Sequence, residues 1–390
     1  MTEPSAVRVL VACGWPRPLG AVVHAGRLAA ALRAAGIEVQ AAAAQPATDA
    51  PVEGGMLIVP VGEPTPGDDL GPASASARAL AVAAAATPAH VGHAEDPVAA
   101  AALLGMRDRG ELRAVVTTVH HITSHDRGGI EDLQRRAVQE ADVTVCASQW
   151  WAGRIRDDYG VDAAVVPHGI ERDRFAGCPL TRRAAGDLLG WGQRPAVLAL
   201  GGVQPRKGSR VLLEAFARAR RRIGDGALLV VAGPAEHHDF HRAWCEDAER
   251  LGLRLHRGEG PPADADVVEL GAVPSGRMPE LYRACDVLAS PSTREGFGLV
   301  ALEAAASGLP CVLSDLAVFR EHFTDGESCL TVPAGDSGAL AQALIRAMHD
   351  APLRMRLVAG GADVARRFTW DACAGAHVEV YRRALQARAA

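Results

Sequence analysis

The chain has 390 residues, enough for two domains that each bury a core of their own. Hydrophobic residues make up 48% and charged residues 22%, and no apolar run is long enough to cross a bilayer. Residues 1–170 contain 13 arginines and 19 acidic residues, a net charge of −6. Because this half has no basic stripe, the charge pattern argues against nucleic acid and predicts weak or absent membrane association. Eight scattered cysteines without a C-x-x-C pair, and a start without a secretory pattern, predict a cytoplasmic protein with reduced thiols.

The first half of the chain alternates short apolar runs with helical patterns. The predicted strands are 7–12, 37–42, 56–61, 115–120, 143–147 and 164–167, and the predicted helices are 22–35 and 130–141. A turn rich in glycine and proline follows the first strand and ends at Gly20. The Ala/Pro/Ser-rich stretch 64–89 is predicted to form a surface loop and a weakly patterned helix.

A polar connection over 168–194 precedes a second series of the same kind. Its predicted strands are 196–200, 227–231, 267–270, 287–289 and 310–314, its helices are 209–221, 240–251 and 278–284, and the chain ends in helical segments 337–349, 352–367 and 371–388. Strands of continuous apolar character between helices predict parallel sheets covered on both faces. The predicted fold class is therefore α/β, with two doubly wound Rossmann-like domains that face a cleft. Ligands of such sheets bind at the carboxyl ends of the strands.

Two carboxylates, Glu295 and Glu303, stand eight residues apart across the turn Gly296-Phe297-Gly298-Leu299, which opens into a helix. The start of a helix presents unpaired N–H groups and the positive end of the helix dipole, so it favours an anion. Carboxylates beside such an anion site accept hydrogen bonds from sugar hydroxyls. The pattern indicates a nucleotide sugar.

A glycine-rich basic turn, 201–208, follows the strand at 196–200 and carries Arg206 and Lys207. Lys207 is the sole lysine of the chain. Arginine neutralises phosphate oxygens by a forked contact and lysine as a point charge, so the pair suits a diphosphate. A solvated turn without function is the alternative for this stretch.

His120, followed by His121, ends a predicted strand at the edge where a ligand would bind. A histidine there can hydrogen-bond a phosphate or a sugar hydroxyl, and a capped strand end is the alternative. Gly20 lets the backbone approach a phosphate closely, although many such glycines only form turns.

Two further stretches have metal-like composition, 237–241 with three histidines and Asp264-x-Asp266. The first is interpreted as a solvated helix start and the second as a loop, so no metal is predicted. The chain lacks G-x-G-x-x-G, G-x-x-x-x-G-K-[ST] and G-x-S-x-G, which removes the main support for a dehydrogenase, a P-loop enzyme or a serine hydrolase.

The segment from Glu295 to Glu303 resembles the E-x7-E signature of retaining GT-B glycosyltransferases, glycosyltransferase family four. The similarity continues through 281–288 and 304–310, the basic turn at 201–208 is similar to that of the family, and 117–120 is similar to its interdomain histidine strand. Residues 166–170 resemble the P-N-G-[IV] step of the family, with His168 in place of asparagine. The resemblance spans nearly the whole chain.

The resemblance implies a role for each matched position. Arg206 and Lys207 would hold the donor diphosphate and stabilise the leaving group, Glu295 would contact the sugar, and Glu303 would bind the ribose hydroxyls. The sugar and phosphate would be lined by backbone of Gly296, Phe297, Gly298 and Leu299, the base would meet Val273, His120 would lie over the sugar, and Gly20 and Gly202 would approach the phosphates. Gly202 stands where many members have arginine, and Arg206 is expected to substitute for it. Gly20 is followed by alanine, where the family usually has paired glycines.

The resemblance further implies an N-terminal acceptor domain over 1–180, joined by a C-terminal helix of about 371–390, and a donor domain over 190–370. The expected activity is transfer of a hexose from an NDP-sugar, GDP- or UDP-hexose, to an acceptor hydroxyl with retention and without a metal cofactor. A small soluble or glycan acceptor is expected. The alternatives are a nucleotide-sugar epimerase or hydrolase of the same fold, and a non-catalytic nucleotide-sugar-binding protein.

Overall fold

The structure, a computed structural model, describes residues 7–14, 20–46, 56–61, 88–122, 129–235, 238–261 and 263–388. The chain forms two compact units. The first unit comprises Met1–Gly169 and Thr369–Ala390, and the second comprises Ile170–Phe368. The last helix of the chain therefore belongs to the first unit.

The first unit is a parallel sheet with helices on both faces. Its strands are β1 (Arg8–Cys13), β2 (Glu38–Pro46), β3 (Leu57–Val61), β4 (Val91–Ala94), β5 (Ala114–Val119), β6 (Val143–Cys146) and β7 (Ala164–Val165). Its helices are α1 (Gly20–Ala34), α2 (Pro97–Asp108), α3 (Ile130–Glu140), α4 (Gln149–Tyr159) and the last helix of the chain, Trp370–Ala387. The strand order is β3-β2-β1-β4-β5-β6-β7, so the order reverses between β1 and β4.

Alternation along β1 explains why both faces of this sheet are covered. Val9 and Val11 pack with Leu28 of α1 in one core, whereas Leu10 packs with Leu103 of α2 in the other. Successive strand residues point to opposite faces, and here both sets are apolar and buried. Two helical layers are needed to remove them from water.

The second unit repeats this architecture. Its strands are β8 (Ala196–Leu200), β9 (Leu228–Ala232), β10 (Leu255–Arg257), β11 (Val267–Gly271), β12 (Val287–Ser290), β13 (Cys311–Ser314) and β14 (Leu330–Val332). Its helices are α5 (Arg172–Ala176), α6 (Arg182–Leu189), α7 (Ser209–Ile223), α8 (His238–Arg250), α9 (Met278–Arg283), α10 (Leu299–Ala306), α11 (Ala317–Arg320), α12 (Ser337–His349) and α13 (Ala351–Ala365); the last helix, Trp370–Ala387, is α14. The strand order is β10-β11-β9-β8-β12-β13-β14, all parallel, and it reverses between β8 and β12.

The predicted fold class is confirmed, and most predicted strands and helices are present with ends that differ by a few residues. The polar connection predicted over 168–194 contains two short helices that were not predicted, α5 and α6. Thr181 caps α6 by accepting a hydrogen bond from the backbone N–H of Ala184. Phe175 is the one buried residue of α5, and α6 has three buried residues. Helices this short do not show a recognisable spacing of apolar residues in the sequence.

Several elements were not predicted, namely β4, α2, α4, β10, α11 and β14. β4 escapes notice because Gly92 and His93 occupy half of its four residues, although all four are buried. The predicted loop and helix over 64–89 lie almost entirely outside the described residues, as does His237. Across the described helices, none combines the length and apolar character that a bilayer crossing requires. The cytoplasmic location stays a prediction.

Candidate functional site

The reversal of strand order in the second unit brings Lys207 and Glu295 together. Lys207 ends a single 3₁₀ turn, Pro205–Lys207, beyond β8, and Glu295 follows β12, the neighbouring strand. The Lys207 Nζ donates a hydrogen bond to Glu295 Oε1 at 2.6 Å, and the two side chains are 11% and 10% exposed. The Ser292 hydroxyl donates to the same oxygen at 2.8 Å. Two loops that are far apart in sequence thus share one largely buried ion pair at the place where doubly wound sheets bind ligands.

The charge of Glu295 is stabilised by its neighbours. Burial alone would raise the pKa of this carboxyl, but Lys207, with Ser292 and Arg206, outweighs burial and lowers it. The carbonyl of Arg206 also accepts a hydrogen bond from the Thr293 N–H at 2.8 Å, which ties the basic turn to the Glu295 loop. The side chain of Arg206 itself is exposed. The site therefore holds a fixed ion pair beside a solvent-facing cation.

The second carboxylate, Glu303, lies in α10, the helix that the Gly-Phe-Gly turn opens. Its Oε2 accepts a hydrogen bond of 2.7 Å from the hydroxyl of Tyr282, a side chain of α9 that is almost fully buried. Burial, and then the nearby Glu303, raise the pKa of Tyr282 well above its usual value, so the phenol stays a donor. Glu303 is thereby held in one orientation, and a carboxylate accepts more than one hydrogen bond.

The backbone around α10 and β11 carries the other positions predicted for the site in the second unit. Gly298 caps α10 in a left-handed conformation, Leu299 is the first helical residue, and Gly296 precedes the buried ring of Phe297. Val273, predicted to meet a base, is half-buried just beyond the carboxyl end of β11. All of these positions lie at the carboxyl ends of strands of the second unit.

The structure explains why the chain has glycine at 202. Gly202 has a φ of +73°, and a Cβ placed there would lie 2.0 Å from the carbonyl oxygen of Pro234. No side chain fits at this position without a backbone shift. An arginine, which the family resemblance places here, would therefore need a backbone shift in this chain, and Arg206 is the next cation along the turn.

In the first unit, His120 follows β5 and belongs to a buried cluster that the sequence did not predict. Its Nε2 lies 2.8 Å from Oε2 of Glu95, which follows β4. The Nδ1 of His24, in α1, lies 3.0 Å from the same oxygen. The side chains of Glu95 and His24 are 0% and 1% exposed, whereas that of His120 is 17% exposed. His120 is thus the member of this trio that reaches the surface.

The trio is surrounded by further polar rings. His93 bonds through Nδ1 to the hydroxyl of Tyr381 at 2.8 Å and through Nε2 to Thr118 at 2.7 Å. Burial lowers the pKa of His93 to about 4 and that of His377 to about 3, so both rings are neutral near pH 7. His168, the residue that replaces the family's asparagine, is buried with its ring centroid 4.1 Å from that of His24. This replacement therefore adds a ring to the cluster.

Gly20 is the first residue of α1. It is exposed, and a Cβ placed on it would meet nothing within 4 Å. The carboxylate of Asp96 caps α2 and also accepts a hydrogen bond from the Gly14 N–H at 2.6 Å. Gly14, the residue after β1, is thereby tied to the residue that follows Glu95.

The ligand atoms of His24, Glu95 and His120 all lie within 4.8 Å of one another, which makes them a candidate metal-binding group among the described residues. The weaker candidates from the sequence are engaged otherwise. Asp264 and Asp266 pair with arginines, and His238 is an exposed residue at the start of α8.

The sequence missed Tyr282, Glu95 and His24 as members of these sites. Tyr282 lies in a stretch with a recognisable family pattern, but its contact with Glu303 joins two helices across 21 residues of sequence. Glu95 directly follows β4, and because that strand was not predicted, the position of Glu95 at the edge of the sheet was not predicted either.

The fold is of the GT-B class. It has two Rossmann-like units of parallel sheet, and the second unit carries a basic turn and an E-x7-E helix start where its strand order reverses. The solved structure of HepE from Anabaena in complex with UDP and glucose has this fold, with a TM-score of 0.78 at 19% identity over 96% of this chain and 99% of that one.

Family comparisons agree with this class. Residues 19–174 match the model of Glycosyltransferase Family 4, and residues 194–350 match that of Glycosyl transferases group 1. A D-inositol 3-phosphate glycosyltransferase of Stackebrandtia nassauensis is 36% identical over 265 residues, which are 66% of this chain and 57% of that protein. A phosphatidyl-myo-inositol mannosyltransferase of Mycobacterium tuberculosis is 32% identical over 280 residues, 68% of this chain and 67% of that protein.

The chain belongs to glycosyltransferase family 4. Its match spans a little over half to two thirds of the length of these curated relatives.

Proposed function

We propose that the chain is a retaining glycosyltransferase that moves a hexose from a nucleoside-diphosphate sugar to an acceptor hydroxyl without a metal cofactor. The observation that carries this proposal is the Lys207–Glu295 pair at the switch point of the second unit, next to the start of α10. One member of the pair suits a diphosphate and the other suits sugar hydroxyls. GDP- and UDP-hexoses are the donors we propose, and the neighbour HepE is described in complex with UDP and glucose.

Each donor-side group has a distinct task in this proposal. Lys207 and Arg206 neutralise the negative charge that grows on the diphosphate as the anomeric C–O bond breaks, which lowers the barrier through an oxocarbenium-like state. Glu295 accepts hydrogen bonds from hydroxyls of the hexose, and Glu303, oriented by Tyr282, accepts them from the ribose. The acceptor oxygen forms the new bond on the face that the diphosphate leaves, and its proton passes to the departing phosphate. His120 contributes a hydrogen bond to the sugar.

For the acceptor we propose a small soluble polyol or glycan. The net charge of −6 over residues 1–170 disfavours an anionic lipid surface. The two relatives named above act, by their names, on D-inositol 3-phosphate and on phosphatidyl-myo-inositol, so the inositol ring is the first acceptor to assay. Strong sedimentation with anionic phosphatidylinositol vesicles would contradict the soluble acceptor.

The test is a donor screen followed by turnover. Thermal shift with a panel of NDP-hexoses identifies the donor, because a ligand that binds only the folded state raises the melting temperature by mass action. Release of nucleoside diphosphate is then measured with and without myo-inositol or its 3-phosphate. We expect release that depends on the acceptor. Free sugar or an epimer formed without acceptor would favour a hydrolase or epimerase, and binding without any release would favour a non-catalytic protein.

A further inference from the structure

We infer that Glu95 is the positioning residue of His120, holding its ring in the tautomer with the proton on Nε2 and leaving Nδ1 to the ligand, with His24 as the second support of that carboxylate. The inference rests on the role in donor-sugar recognition that is proposed above for His120. It assigns a task to a buried carboxylate that the proposed reaction does not otherwise use.

The hydrogen-bond geometry dictates the tautomer. Oε2 of Glu95 lies 2.8 Å from His120 Nε2 and 3.0 Å from His24 Nδ1. A carboxylate only accepts hydrogen bonds, so each facing nitrogen must carry a proton. With the Nε2 proton of His120 directed to Glu95, its Nδ1 is left with a lone pair that accepts a hydrogen bond from a sugar hydroxyl.

The carboxylate is held charged and in place. Burial would raise the pKa of the Glu95 carboxyl, but His24 and His120 outweigh burial and hold that pKa well below its ordinary range. Around the trio, the facing titratable groups are His93 from β4, His168 after β7, and His377 and Tyr381 from α14. Because Glu95 is fully buried and His120 is partly exposed, the carboxylate acts on a ligand only through His120.

The same geometry favours a positioning role over a metal site. The Nε2 of His24 is buried and has no hydrogen-bond partner among the described residues. If the Nδ1 of His24 bound a metal, its Nε2 would carry the proton and would be a buried donor without an acceptor. Histidines that bind a metal nearly always donate their second N–H to a partner. With the proton on Nδ1, as the contact with Glu95 requires, Nε2 is only an unused acceptor, which is the less costly state.

The test combines imidazole tautomers with kinetics in the full-length protein. Long-range ¹H–¹⁵N spectra of the histidine rings, with the His120 signals assigned by their loss in His120→Gln, should show the Nε2–H tautomer in the wild type. Glu95→Leu removes the oxygen that both rings contact, so the His120 signals should shift toward the other tautomer or become mixed. We expect kcat to fall by about 10- to 100-fold, as for other residues that orient a functional histidine, with the donor KM changed by less than about threefold.

Asp142→Asn is the matched control. Asp142 is a largely buried carboxylate of the same unit, but it accepts a hydrogen bond from the Val115 N–H near the amino end of β5, away from His120. This variant should lose stability without changing the His120 tautomer or the ratio of kcat to donor KM.

Three results would overturn the inference. The first is an Nδ1–H tautomer of His120 in the wild type, a result that needs no variant to fold and no activity. The second is an unchanged tautomer and kcat in a folded Glu95→Leu protein. The third is one equivalent of Zn²⁺ or Mn²⁺ bound by the wild type, in metal analysis or titration with the chloride salt, and lost in Glu95→Leu. If no transferase activity is found, the proposed function fails while the tautomer measurement still decides the role of Glu95.

Discussion

Removing the cation of the Lys207–Glu295 pair should destabilise the second unit in a way that depends on pH. In Lys207→Met the neutral side chain keeps most of its length, but Glu295, at 10% exposure, loses the ammonium that donates to it. Breaking a buried pair in this way costs about 3–5 kcal/mol. The carboxyl can escape part of that penalty by taking up a proton. At pH 7 this costs about 3 kcal/mol, since each pH unit above its ordinary pKa of 4.5 adds about 1.4 kcal/mol.

The loss in the free energy of unfolding of Lys207→Met should therefore be about 3 kcal/mol at pH 7 and below about 1 kcal/mol at pH 5. The sign follows from the two pKa values of Glu295. In the wild type the folded pKa is lowered, so the pair contributes stability that is present above 4.5 and is lost as pH falls through the folded value. In the variant the folded pKa is raised, so the variant gains relative to the wild type as the pH falls. Each comparison is made at one pH, so the acid sensitivity of other groups cancels.

Amide hydrogen exchange of β8 is the suitable assay, because it measures the opening free energy of the second unit itself in a chain with two units. Lys207→Met with Glu295→Gln removes both charges and should recover most of the stability while leaving turnover low. Arg210→Met is the control, since Arg210 is 50% exposed and its partner Asp247 keeps a second cation, Arg250. Its penalty should stay below about 1 kcal/mol. Equal penalties for Lys207→Met at pH 7 and pH 5, or a double variant no more stable than the single one, would refute this reasoning.

Three further outcomes follow from the structure. Tyr282→Phe removes the hydroxyl that donates a hydrogen bond to Glu303 and should raise the Kd for the nucleoside diphosphate about tenfold in calorimetry, with little change in fold. An unchanged Kd would show that Glu303 does not bind the ribose. Gly202→Ala should lower the free energy of unfolding by more than about 2 kcal/mol. Gly226 has a similar φ of +71°, but an added Cβ would have no atom closer than 3.7 Å, so Gly226→Ala should lower it by about 1 kcal/mol. Equal losses in thermal melts would mean that the backbone at Pro234 shifts without cost. The pKa of His377 is about 3 in the folded protein against 6.5 in the unfolded chain, so at pH 5 this ring binds a proton only in the unfolded chain. Folding stability should therefore fall by about 2 kcal/mol between pH 7 and pH 5 because of this residue. His377→Leu should reduce the pH dependence of the melting temperature, and an unchanged dependence would contradict the assignment.

The position of Lys207 and Glu295 at one edge of the sheet was predictable because the signals for it are local. Lys207 and Glu295 each follow a strand of continuous apolar residues, and the turns that carry them have the glycines and charges that a phosphate site needs. A parallel sheet then brings the ends of neighbouring strands to one edge, so the topology supplies the rest. The ion pair between the two residues was not predicted, because it depends on β8 and β12 being neighbours although they are far apart in the chain.

The cluster around Glu95 was beyond the sequence. It joins a helix residue, His24, to residues after β4 and β5, and β4 itself is only four residues long with a glycine and a histidine. Tyr282 is similar, because a tyrosine in a short helix gives no sign of its partner. Contacts across long separations follow from packing, and no local pattern encodes them.

The most direct test of the proposed activity is an NMR measurement of the transfer reaction itself. The wild-type protein is incubated with the donor found by thermal shift and with an inositol acceptor, and the anomeric proton of the new glycoside is observed together with the released nucleoside diphosphate. The account predicts one glycoside formed per diphosphate released, with the anomeric configuration of the donor, and near-complete loss of both in Lys207→Met. A glycoside of inverted configuration, or diphosphate released with only free sugar, would contradict it.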